Sequence, residues 1–366
     1  MHSKDRSSIG LSILLLLITC TVATPQVTFR GFGQPGALIT GMSADGSIIV
    51  GEFGPGMPDG FRWTATGGLE RIGGVTTAAI SRDGKVIVGS VRDQLLRQVA
   101  AIWQSGRNWR QLGGVPGGRP DLLTGILSTA YDVSGDGSVI VGLAYDEGFR
   151  PVGFRWEEKT GMVNIGPQGL GFQQSALSVS ADGKNVVGFD KDKYNIITPN
   201  QYRGFVYHTG QLHLLHPWGW VGEARKTNDV GSIIVGRGPL GYAAPALAGT
   251  TYRYTAWDGR FEDLGAVWPG MPGINLDEYV SLPRGMSDDG SIVAGETGGV
   301  NTQFAMIWTP ETRMVYMHDY LTSKGVTTHQ GWVLTSAWYV SPDGRVVAGH
   351  GLDPRGAPDS WIVTLR

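Results

Sequence analysis

A single cysteine, Cys20, leaves no pair for a disulfide, so the 366-residue chain must hold its fold by packing alone. Charge of one sign is missing as well: 30 Lys and Arg face 32 Asp and Glu, and no basic stripe breaks the balance. Nucleic-acid binders usually carry such an excess, so that class of partner is set aside. Beyond residues 9–18 there is no long apolar run, and that one is too short to span a bilayer comfortably. No transmembrane segment is therefore expected in the mature chain. Common catalytic signatures are also absent: there is no H-E-x-x-H, no Walker A and no G-x-S-x-G. Gly31-Phe32-Gly33-Gln34-Pro35-Gly36 matches G-x-G-x-x-G, but no βαβ unit surrounds it and Pro35 blocks the helix start a dinucleotide needs. The seven histidines are scattered, and the one group, His208, His213 and His216, flanks a hairpin rather than building a metal site. No metal and no cofactor is expected.

The N-terminus has the organisation of a secretory signal. Lys4 and Arg6 supply the positive start, residues 9–18 the apolar stretch, and Thr21-Val22-Ala23 the small residues of a cleavage site. The expected division is a signal peptide over residues 1–23 and one domain over residues 24–366. A second route is lipidation at Cys20, since Leu17-Ile18-Thr19-Cys20 resembles a bacterial lipobox. Thr19 stands there where a smaller residue is expected. Either route places the mature protein outside the cytoplasm, secreted or periplasmic.

What the sequence has in abundance is repetition. Ser43-Ala44-Asp45-Gly46-Ser47-Ile48-Ile49-Val50-Gly51 returns through Asp83-Gly84, Asp136-Gly137, Asp182-Gly183, Asp289-Gly290 and Asp343-Gly344. A degenerate copy, Asn228-Asp229-Val230-Gly231, has Val230 where Asp is usual. In all seven the second glycine follows five residues later, at Gly51, Gly89, Gly142, Gly188, Gly236, Gly295 and Gly349. Asp-Gly suits a tight hairpin, because glycine accepts positive φ and Asp bonds its own backbone. A calcium site would need six or more oxygens, and each turn offers one acid. The turns therefore read as framework.

Each unit divides into four short strands, A to D. A precedes the Asp-Gly turn, B is the β-branched run after it, C carries an aromatic, and D ends near a glycine. Four-strand units of about 40 to 50 residues signal a β-propeller. The seventh unit stops after strand C, while residues 27–31 form a strand-like piece ahead of the first A. Placed as the missing D, that piece closes the ring and removes two exposed edges. The expected fold is an all-β, seven-bladed propeller closed by its N-terminal strand, and a monomer. Trp63, Trp103, Trp156, Trp257, Trp308 and Trp361, with Tyr207 in the fourth blade, recur once per unit and read as packing between blades.

Every sizeable insertion falls in a B–C or D–A connection, and these emerge on one face. Long loops on a rigid scaffold are where binding is usually found. Aromatics outside the repeat lie there: Tyr194, Tyr202, Trp218, Trp220, Tyr242, Trp268 and Tyr279, with Asp277 and Glu278 beside the last. Arg119, Asp121, Asp190, Asp192, His318 and Asp319 also fall in or beside these loops, and Asp319-Tyr320-Leu321 reads as a helical turn. No residue of the sequence stands out as catalytic.

The pattern Ser-x-Asp-Gly-x-x-Val-x-Gly, then Phe-Arg-Trp, then a strand ending in Leu-Gly resembles the HAF-type bacterial extracellular repeats. Ser341-Pro342-Asp343-Gly344 is similar to the turn of TolB- and WD40-like propellers. The resemblance covers essentially the whole mature chain and implies a secreted propeller with no established reaction. The expected function is non-enzymatic binding of an extracellular glycan or protein through the long-loop face. Two alternatives remain: a polysaccharide hydrolase or lyase with acids on the same face, and a scaffold without a specific ligand.

Overall fold

A computed structural model of the chain describes residues 26–54, 59–166, 171–192, 202–215, 222–238, 249–267, 280–299 and 302–365. Strand β1 (Thr28–Gly31) comes first. Blade one holds β2 (Ala37–Met42), β3 (Ile48–Phe53), β4 (Gly60–Thr64) and β5 (Gly68–Gly73); blade two holds β6 (Thr76–Ile80), β7 (Val86–Arg92), β8 (Gln98–Gln104) and β9 (Arg110–Gly113). Blade three is β10 (Ser128–Val133), β11 (Ile140–Tyr145), β12 (Pro151–Glu157) and β13 (Gly161–Asn164); blade four is β14 (Gly171–Val179), β15 (Asn185–Asp192), β16 (Tyr202–His208) and β17 (Gln211–Leu214). Blade five is β18 (Glu223–Thr227), β19 (Ile233–Arg237), β20 (Thr251–Thr255) and β21 (Arg260–Gly265). Blade six is β22 (Val280–Met286), β23 (Val293–Gly299), β24 (Thr302–Thr309) and β25 (Arg313–Tyr316). After α1 (Met317–Ser323), blade seven holds β26 (Val333–Val340), β27 (Val346–Leu352) and β28 (Pro358–Thr364).

Strand order in the last sheet is β1-β28-β27-β26, so the N-terminal strand supplies the missing D and the chain is a closed seven-bladed β-propeller. Thr28 stands opposite Thr364 and Gly31 opposite Trp361. Phe29 and Phe32 lock this seam: Phe29 meets Trp332 and Trp361, and Phe32 meets Phe61 and Trp63 across the blade one junction. Strand A is innermost in every blade, and each A packs on the next around the ring, β26 on β2 included. Among the described residues no helix is long and apolar enough to cross a membrane. The helical turn read at Asp319-Tyr320-Leu321 is α1, which buries Met317, Tyr320 and Leu321 between blades six and seven.

The repeated turn is a hydrogen-bonded device. Ser43 Oγ donates to Asp45 Oδ1 at 2.7 Å and accepts from the Ile48 amide at 3.0 Å, while the Ser47 amide donates to the same carboxylate. Gly46 sits at φ 71°, where only glycine is unstrained. The same pattern holds around Asp83, Asp136, Asp182, Asp289 and Asp343. In the degenerate turn Asn228 replaces the serine: its Oδ1 accepts from the Ile233 amide, and Val230 points out to solvent. Neighbouring turns are tied by backbone bonds, Ala44 N to Arg82 O, Arg82 N to Gly135 O, Gly135 N to Ala181 O and Asp288 N to Pro342 O. Pro342 has no N–H to continue the series to blade one. Arg82 instead crosses the axis from blade two to blades five and six, reaching Asp229 and, at 2.9 Å, Asp288. The turns thus crowd the propeller axis at one end.

Register corrects two aromatic assignments. Opposite each second glycine stands a strand C residue: Phe61, Ala101, Phe154, Phe205, Tyr252, Met306 and Trp361. Trp63, Trp103, Trp156, Tyr207, Tyr254 and Trp308 come two residues later. Trp257 lies beyond the end of β20 and is 82% exposed, so it is not in the ring; Tyr254 takes its place. Trp361 occupies the other position, fully buried, its indole N–H donating to the His350 carbonyl at 2.7 Å. Pairing to glycine fixes register, and matching tryptophans by sequence does not. Trp257→Ala should therefore change unfolding free energy by less than about 0.5 kcal/mol. Trp308→Ala should cost about 3–5 kcal/mol, and paired urea melts of the two variants check the contrast.

Candidate functional site

The glycine that ends each repeat has a second role. A Cβ at Gly51 would lie 2.0 Å from the Leu38 carbonyl, and at Gly142 2.1 Å from that of Thr129. The glycine lets strand A bulge against it, and every strand A carries a bulge at this level. A bulge leaves one residue unpaired and re-aims its side chain. The re-aimed residues are Thr40, Ala78, Tyr131, Leu177, Arg225, Arg284 and Trp338, and all seven line one axial cavity of about 560 Å³. Each stands three residues before the first residue of its turn. The constant positions of the repeat therefore present the varied one to a common space.

The cavity is electrostatically lopsided. Blades one and two contribute Thr40, Ala78 and Glu52, whose carboxyl is pushed up by burial against one long bond from the Thr77 amide. Blades five and six contribute Arg225, Lys226 and Arg284. Lys226 is committed to Asp132 at 2.8 Å, and the same oxygen accepts from Ser178 Oγ and the Val179 amide. Arg225 and Arg237 share Glu223, at 2.6 and 2.8 Å. Arg284 holds one oxygen of Glu296 at 2.7 Å, and Ser336 Oγ donates to the other at 2.8 Å. Three guanidinia thus face two buried carboxylates. Burial and then the charge of Arg225 pull Arg284 below the usual guanidinium range. Burial raises the Tyr131 hydroxyl, with Arg225 opposing.

A stack backs this arc. Arg284 lies over Trp338 at 4.5 Å, and Trp338 stacks on His350 at 5.3 Å. His350 Nε2 donates to the Ile39 carbonyl at 2.7 Å, which bridges blades seven and one. Burial pushes His350 down to about 4, opposed by that bond and by Glu296, with Arg284 adding to the depression. A depressed histidine makes the folded state prefer the neutral ring, so stability is full above about pH 6.5 and falls as pH drops toward 4. At 1.36 kcal/mol per unit the loss is about 3 kcal/mol. Below that, the turn aspartates add to it. Asp45 is held low by the Ser43 hydroxyl and the Ser47 amide, and Asp136 by the Ser138 amide and hydroxyl. For Asp83, Asp182, Asp289 and Asp343 burial works the other way and is outweighed by the same bonds. Urea midpoints should fall from pH 6.5 to 4, and His350→Gln should flatten that limb while leaving the steeper loss below pH 4.

Of the loop aromatics and the Asp277–Glu278 pair read from sequence, Tyr202 alone is among the described residues. It packs edge-on to Phe189 at 4.8 Å, and Phe189 lines the cavity, so Tyr202 supports that wall. Tyr194, Trp218, Trp220, Tyr242, Trp268, Asp277, Glu278 and Tyr279 lie outside the described residues. Asp190 is fully buried against Arg203 and Gln174, Asp121 caps its own loop through the Leu123 and Thr124 amides, and Arg119 lies over Phe149. His318 and Asp319 are exposed on α1. These groups do not converge. Among the described residues no three His, Cys, Asp or Glu side chains gather to hold a metal.

Neither a protein-family model nor a curated protein matches the chain. Solved structures do. The β-propeller domain of the Trilobed protease from Pyrococcus furiosus, described as having an open velcro topology, is similar at TM-score 0.55 and 10% identity, over 89% of this chain and 95% of that one. Oligogalacturonate lyase from Vibrio parahaemolyticus is similar at TM-score 0.54 and 11% identity, over 93% and 97%. Putative TolB from Agrobacterium tumefaciens aligns at TM-score 0.43 and 11% identity, over 94% and 92%. At these identities the first two likenesses establish the β-propeller fold and nothing finer.

Proposed function

We propose that this protein is an exported, non-enzymatic binding propeller whose ligand, a glycan, enters the axial cavity from the face bearing the B–C and D–A connections. One observation carries the reading: seven bulges aim seven side chains of six kinds into a single cavity, while the turns crowd the axis at the other end. Its volume falls within the usual range for ligand sites, roughly 300–1,000 Å³. Thr40, Thr129, Ser175 and Tyr131 bring hydroxyls, and Leu177 and Phe189 bring apolar faces, a mixture suited to a sugar. Export over residues 1–23 belongs to the same proposal.

Two other readings have specific support. Leu95, Leu96, Leu122 and Leu123 are exposed in adjoining loops of blades two and three, tied together at Gln98, and favour a protein partner. The oligogalacturonate lyase neighbour favours turnover of an acidic polysaccharide. A glycan array run beside an assay for newly formed sugar ends separates the three. Binding without cleavage is the expected result. Cleavage would replace it with the lyase or hydrolase reading, and silence in both assays would remove the glycan.

A further inference from the structure

Building on the glycan reading, we propose that the ligand is an acidic sugar whose carboxylate lies between Arg225 and Arg284. Both guanidinia reach the cavity from equivalent bulges in adjacent blades. Each is already oriented from behind by a buried carboxylate, Glu223 for one and Glu296 for the other. Those acids are fully used, Glu223 by Arg237 and Glu296 by the Ser336 hydroxyl. Within this arc three guanidinia share two carboxylates, Glu52 stands away from them in blade one, and like charges from neighbouring blades repel. A carboxylate between the two forks would accept charge-assisted bonds and relieve the repulsion. Lys226 is held by Asp132 and adds no free charge, which suits a monoanion. The hydroxyl and apolar lining beside the pair fits the rest of a sugar ring rather than a bare inorganic anion.

Calorimetric titration of the mature chain with a uronic-acid trisaccharide, its carboxyl-reduced neutral counterpart and inorganic phosphate tests this. The acidic sugar should bind at least about tenfold tighter than the neutral one, the scale of one charge-assisted contact. Arg225→Gln should abolish that preference, so that acidic and neutral sugars bind alike. This variant keeps Arg237 on Glu223, so its fold is protected. Arg284→Gln is made together with Glu296→Gln, to avoid stranding a buried carboxylate, and should have the same effect. Circular dichroism melts confirm that both variants are folded. Equal binding of acidic and neutral sugars would overturn the carboxylate assignment and leave the glycan reading intact. Binding of neither would overturn both, and phosphate binding as tightly as the uronate would mark an adventitious ion only.

Discussion

Removal of residues 24–33 is expected to leave a chain that aggregates and has lost most of its folding stability. The deleted stretch holds β1 and the two phenylalanines that lock the seam, Phe29 at 5% and Phe32 at 7% exposure. Truncating one buried phenylalanine costs about 3–5 kcal/mol, and a whole domain is stable by only about 5–15 kcal/mol. Losing both phenylalanines with a four-residue ladder therefore consumes most of the margin. The loss is also directional. Strand β28, buried along Asp359 to Val363, would become an edge with a row of unpaired backbone groups beside Trp361, Ile362 and Val363. Such an edge templates pairing with other chains. Light scattering and a urea melt measure the two effects separately, and a synthetic peptide of residues 26–36 should restore both by adding the strand back. A truncated chain that stays monodisperse with an unchanged midpoint would show that β1 is an ornament on a ring already closed by packing.

The same closure was legible from sequence because it is a matter of counting: a last unit lacking its D strand and a spare strand at the other end. Turn positions were legible for a similar reason, since Asp-Gly chemistry is local and Ser43, Asp45 and Gly46 settle it among themselves. The axial site was hidden by a different kind of fact. That the second glycine faces a bulge depends on pairing between strands A and B, which no single segment displays. Once it is known, the signal is plain: the position three residues before each turn reads Thr, Ala, Tyr, Leu, Arg, Arg, Trp in an otherwise monotonous repeat. Variation among the loops is more conspicuous and masks this one varied position. Tyr202 shows where the two views meet, on the back of a cavity wall. Trp257 shows the cost of matching residues by type, because register in blade five is set by Gly236 and Tyr252 and passes Trp257 by.

Gly349→Ala should be among the most damaging single substitutions in the chain, despite adding one methyl group. Its Cβ would sit 2.1 Å from the Ser336 carbonyl and 2.3 Å from the Trp361 ring, far inside contact distance. Neither neighbour can yield. The carbonyl belongs to the bulged backbone of β26, and Trp361 is fully buried with its indole fixed on the His350 carbonyl. Overpacking typically costs about 1–3 kcal/mol where side chains can adjust, so a clash against fixed backbone should reach at least about 3 kcal/mol. Gly54→Ala is the matched control: its nearest neighbour would be the Gly36 carbonyl at 3.8 Å, and it should stay within about 0.5 kcal/mol of the parent. The consequence extends to the cavity. Flattening the bulge withdraws Trp338, and Arg284 loses the ring it lies over. Any variant protein that still folds should therefore bind acidic sugar more weakly than its stability loss accounts for. Equal urea midpoints for Gly349→Ala and Gly54→Ala would mean that the repeated glycine is a relic of duplication, with no part in shaping the channel.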